Sequence, residues 1–133
     1  LKIIGIDHIG LAVKSIDRYD KFYTELLGLK QAALQEVPEM ALRAKFFQLG
    51  EAVLELMEPV GEKGPTQQHL KHIGEGVQHI ALQVENLDVA VAELKEAGAW
   101  LVGEPKILDG RKVCFIHPVI TGGVVLELIE VKS

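Results

Sequence analysis

The segment DHIGLAVKSID (7–17) returns 71 residues later as QHIALQVENLD (78–88). His8 matches His79, Ile9 matches Ile80, Leu11 matches Leu82, Val13 matches Val84 and Asp17 matches Asp88. The tetrapeptide VLEL occurs at 53–56 and again at 125–128, an offset of 72. Each copy therefore carries one histidine near its start and one glutamate near its end, 47 residues apart in the first and 48 in the second. Self-similarity of this length marks a duplicated structural unit, so the chain must build one small fold twice.

One copy can be read from its hydrophobic periodicity. IDHIGLAV alternates, with Ile9, Leu11 and Val13 on one face and His8, Gly10 and Ala12 on the other, as a half-buried strand does. A helix follows over 16–27, with Ser15 as its N-cap and Gly28 as its stop. Strands are predicted at 30–36, 42–49 and 52–58, with Gly50 and Glu51 in the tight turn. The second copy repeats this: a helix over 87–97 capped by Asn86 and ended by Gly98, then strands at 100–104, 112–116 and 124–131. The predicted class is α+β. Two tandem βαβββ modules, about 1–58 and 77–133, form one domain whose curved mixed β-sheet makes a cleft, with the helices on its outer face. The linker, 59–76, holds a short helix at 67–73.

Strand parity sets where the polar residues point. In VLEL, Leu54 and Leu56 face one way and Val53, Glu55 and Met57 the other. If helices cover the leucine face, the opposite face carries His8, Glu55, His79 and Glu127. A carboxylate within an apolar strand is costly unless it is paired or bound to a metal. Two imidazoles and two carboxylates form a mixed nitrogen and oxygen set suited to a divalent first-row metal with exchangeable waters. Other candidates read more plainly. His69 and His72 are solvent-facing linker residues, and His117 is a turn residue before Pro118 that could reach the cavity. Trp100 belongs to the core. Cys114 is a small buried hydrophobe, and Gly122 and Gly123 form a turn.

A net charge of −5 argues against nonspecific nucleic-acid binding, which needs a basic surface. The single cysteine excludes an intrachain disulfide and fits a reducing, cytoplasmic setting. No apolar run approaches the roughly 18 residues of a membrane span. The first ten residues lack the regions of a signal peptide, although a start at Leu1 leaves a trimmed leader open.

With IDHIGLAV, FYTELLGLK, LELMEP, GEGVQHIALQVEN, KVCFIHP and TGGVVLELIE in hand, the chain resembles the vicinal oxygen chelate superfamily, and within it the methylmalonyl-CoA epimerases. The resemblance implies paired βαβββ modules around a divalent ion (Co, Mn, Ni, Zn or Mg) held by His8, Glu55, His79 and Glu127. It also implies a homodimer and a 2-methyl-branched acyl-CoA substrate, epimerised by α-proton abstraction through a metal-stabilised enolate. Glu127 is then one proton carrier and Glu55 the other. The same ligands resemble those of glyoxalase I, a lactoylglutathione lyase acting on a glutathione hemithioacetal. A drug-binding protein of the bleomycin-resistance kind would use the fold without chemistry, and a ring-cleaving dioxygenase would need only two His and one Glu. The chain departs from the epimerase pattern at Gln78, at GPTQQHL in the linker, at ILDG (107–110), and in having no carboxylate in MALRAKFF.

Overall fold

The computed structural model describes residues 1–131. These fall into two compact units, one spanning 8–78 and the other joining 1–7 to the part from His79 onward. In the first, β1 (Gly5–Ala12) leads into α1 (Ile16–Lys21), which continues as a π-helical turn over Phe22–Leu26. Strands β2 (Gln35–Val37), β3 (Leu42–Leu49) and β4 (Ala52–Pro59) follow, then α2 (Pro65–His72). The strand order is β2-β3-β4-β1, with β1 parallel to β4 and the other neighbours antiparallel. The second unit contains β5 (Gly76–Val84), α3 (Leu87–Glu96), β6 (Lys106–Leu108), β7 (Arg111–Ile116) and β8 (Val125–Glu130). Its order is β5-β8-β7-β6, with β5 parallel to β8. The α+β class and the twice-used β-α-β-β-β order agree with the sequence reading. Among the described residues, no helix is long and apolar enough to cross a membrane.

Each sheet buries the same parity. Leu54 and Leu56 of β4 pack with Phe47, Val13 and Ile16 beneath α1, while Met57 joins Leu42 and Ala44 on the opposite face. In the second unit Leu128, Cys114, Ile116 and Val84 pack beneath Leu87, Ala90 and Val91 of α3. Ala81, Val113 and Ile129 form the layer on the other face. Cys114 is buried as expected, and burial pushes its thiol above the usual range.

The helix starts revise one expectation. Asn86 caps α3 as predicted, accepting from the Val89 amide at 3.1 Å. Ser15 makes no capping bond to α1. Instead the Glu58 carboxylate, at the end of β4, accepts from the Ile16 amide at 2.8 Å and also receives Arg43. The repeat extends to this device, because Glu130 accepts from the Leu87 amide at 3.1 Å. An acidic group here satisfies an otherwise unpartnered amide and meets the positive end of the helix dipole. With no cap of its own, α1 depends on Glu58 more than α3, which keeps Asn86, depends on Glu130. Glu58→Ala should cost about 1–2 kcal/mol of stability in urea unfolding, and Glu130→Ala about half as much. Ser15→Ala should cost almost nothing, and a Ser15 penalty matching that of Glu58 would contradict this assignment.

The edge strands also differ from expectation. The strand expected over 30–36 touches β3 at Gln31, opposite Phe47, and resumes as β2 with Gln35 opposite Ala44. Four positions on the edge thus span three on β3, a one-residue bulge. The strand expected over 100–104 pairs only at Leu101, opposite Ile116, before β6 begins at Lys106. Gly103, Glu104 and Pro105 intervene, and a proline cannot donate to the ladder.

Candidate active site

In the first unit, β1 and β4 run parallel with His8 level with Val53 and Gly10 level with Glu55. The imidazole and the carboxylate thus share a face two positions apart. His8 Nε2 lies 3.7 Å from Glu55 Oε1, with the side chains 15% and 12% exposed. In the second unit, His79 is level with Val125 and Ala81 with Glu127. His79 Nε2 lies 3.6 Å from Glu127 Oε1, with the side chains 9% and 6% exposed. Neither glutamate sits on a solvated edge. Each has a small residue beside it on the parallel strand, Gly10 or Ala81, and a phenylalanine opposite on the antiparallel one, Phe46 or Phe115. The small residue leaves space beside the carboxylate, and the ring dries its other flank. Lys106 Nζ stands 5.4 Å from the Phe115 ring centroid.

Both His–Glu separations exceed hydrogen-bond length. Two donors each about 2.1 Å from a shared ion lie about 3.0 Å apart at a right angle and about 3.4 Å apart in a tetrahedron. The observed 3.7 and 3.6 Å are within a few tenths of that range. The donor types and spacings therefore suit each pair to supplying two ligands to a divalent ion.

Other residues behave differently from the sequence reading. His69 is half-buried rather than solvent-facing; its Nε2 is enclosed without a hydrogen-bond partner, and burial lowers its pKa. His72 is exposed as expected and meets Gln68 Oε1 at 3.1 Å. His117 does serve a turn, since its Nδ1 accepts from the Val119 amide at 3.0 Å. Trp100 is not core: it is 54% exposed and stacks on the His117 ring at 3.8 Å. Sequence reasoning missed Arg111, which grips Asp7 with two hydrogen bonds of 2.9 and 3.1 Å while Gln83 donates to the same carboxylate at 2.9 Å. These partners are 104 and 76 positions from Asp7, too distant for any local pattern to reveal.

Residues 7–115 match the glyoxalase/bleomycin resistance protein/dioxygenase superfamily. The chain belongs to that superfamily. Its relatives there include the ethylmalonyl-CoA/methylmalonyl-CoA epimerase of Cereibacter sphaeroides, 35% identical over 130 residues, covering 95% of this chain and 97% of the relative. A solved structure of Streptomyces coelicolor methylmalonyl-CoA epimerase, a variant in complex with 2-nitronate-propionyl-CoA, shares the fold with a TM-score of 0.89 and 28% identity. That match covers 99% of this chain and all of the other. The lactoylglutathione lyase of Salmonella typhimurium is 30% identical over 130 residues, covering 95% and 92%. Within the superfamily this chain is an enzyme of the epimerase kind, an isomerase.

Proposed function

We propose that the protein epimerises a 2-methyl-branched malonyl-type acyl-CoA thioester, with His8, Glu55, His79 and Glu127 together holding one divalent ion. The observation that carries the reading is the duplicated His–Glu pair at metal-donor spacing, 3.7 Å in one unit and 3.6 Å in the other. Kinship with the Cereibacter sphaeroides epimerase, which this chain matches over 97% of its length, supports the substrate class.

The α-hydrogen of such a thioester is weakly acidic, because its removal leaves the electron pair delocalised onto the carbonyl oxygen. When bound, a divalent ion supplies Lewis-acid stabilisation of charge on that oxygen. The chain's own residues move the proton. Glu127 accepts it as the C–H bond breaks, and Glu55, protonated and partly released from the metal, delivers one to the opposite face. The repeat makes the two carboxylates equivalent, as a reaction running in both directions requires. Phe46 and Phe115 lie opposite them on the antiparallel strands and shield one flank of each carboxylate from water.

A lyase reading also has a relative behind it, and the two part at the substrate. The deciding experiment assays purified, metal-analysed protein with methylmalonyl-CoA and with the methylglyoxal–glutathione hemithioacetal. Turnover of the first is expected. Turnover of the hemithioacetal alone would overturn the epimerase reading.

A further inference from the structure

Trp100 is large, apolar and more than half exposed, yet it is held firmly in place. Its carbonyl accepts from the His117 amide at 2.9 Å, and the Val102 amide donates to Phe115 at 2.8 Å. These bonds flank the Leu101–Ile116 bridge, so Trp100 lies opposite His117 and Val102 opposite Phe115. The two rings stack at 3.8 Å with 14° between their planes. The Val119 amide fixes the imidazole by donating to Nδ1, which leaves the neutral ring's proton on Nε2. Nothing in this arrangement buries the indole. It is a pre-ordered aromatic shelf.

Its position relates it to the chemistry. Phe115 is opposite Glu127 and Ile116 opposite Leu126, and the extended backbone of the next residue, His117, carries this register on to the level of Val125, whose other neighbour is His79. Side chains two apart on a strand share a face, so His117 lies on the face of Phe115 and Glu127. One row thus runs His79, Val125, His117, Trp100 across four adjacent chain segments of the second unit. With strands spaced about 4.8 Å apart, the shelf lies roughly 14 Å from His79 along the sheet.

We propose that Trp100 is a specificity-determining residue that stacks against the adenine ring of the CoA carrier. The inference rests on the acyl-CoA reading above and names the part of the substrate this surface reads. Adenine is the one flat aromatic group in such a thioester, and the pantetheine arm, diphosphate and ribose between it and the reacting carbon are together long enough to span this interval. Glutathione has no aromatic ring to place there. Base-on-aromatic stacking tolerates an exposed platform and gains from a rigid one.

Trp100 is the chain's single tryptophan, so its fluorescence reports on the shelf alone. Titration of the wild-type protein with CoA should quench that emission saturably, and pantetheine should not. Trp100→Ala should raise KM for methylmalonyl-CoA about tenfold or more with kcat little changed, while KM for the methylmalonyl-pantetheine thioester moves less than twofold. Trp100→Phe, which keeps a ring, should restore most of the loss. Turnover of methylmalonyl-CoA with no quenching by CoA and no KM effect would overturn the shelf and leave the epimerase reading standing. Quenching by CoA without turnover would do the reverse.

Discussion

Glu127→Gln should slow exchange of the substrate α-hydrogen with solvent by about 10²- to 10⁴-fold in the epimer whose hydrogen faces Glu127. The substitution keeps the side chain's shape between Ala81 and Phe115 while removing its negative charge and its capacity to take up a proton. Proton NMR of methylmalonyl-CoA in D₂O reads the exchange directly, and metal content measured on the same sample separates loss of the base from loss of the ion. Glu55→Gln should do the same to the other epimer. With Glu127 intact, one face of the substrate can still lose and regain its proton, so exchange should persist in one epimer while interconversion slows. A variant that slows both equally would point to one carboxylate working alone. Undiminished exchange in Glu127→Gln would remove that residue from the mechanism.

Much of this architecture is legible in the chain because the duplication states it twice. The pairing of His8 with Glu55 and of His79 with Glu127 follows from strand parity plus a matched spacing, and local periodicity is enough for β3, β4 and α3. What escaped depends on partners far away in sequence. Ser15 has the chemistry of an N-cap, but Glu58, 42 positions beyond Ile16, takes the Ile16 amide with a full charge and an Arg43 contact besides. The signal was available in hindsight, since LELME and LELIE repeat a second glutamate three residues after the first, on the other face of the strand. The edge strands escaped because a bulge is set by the neighbour's register and leaves no periodic trace. Trp100 reads as a core residue in the sequence, whereas its exposure follows from the short, broken strand that carries it.

Removing the metal should lower the melting temperature by roughly 10 °C, because an ion held at a hundredfold or more above its dissociation constant contributes about 3 kcal/mol to a domain of this size. The measurement needs no substrate. Protein is purified, stripped with chelator, and melted with and without readded Co²⁺, Mn²⁺, Ni²⁺, Zn²⁺ or Mg²⁺, the metal content being determined each time. His79→Ala and His8→Ala should each bind metal at least tenfold more weakly and lose the thermal shift. They should do so to similar extents, because the repeat gives the two imidazoles equivalent places beside Glu55 and Glu127. In the apo forms the two variants should part. His79 and Glu127 are the more buried pair, so truncating His79 leaves a carboxylate in a drier place than truncating His8 does. Apo His79→Ala should accordingly melt below apo His8→Ala. A stripped protein that melts at the temperature of the loaded one, with both histidine variants unchanged in metal content, would dissolve the shared ion and leave two separate His–Glu pairs.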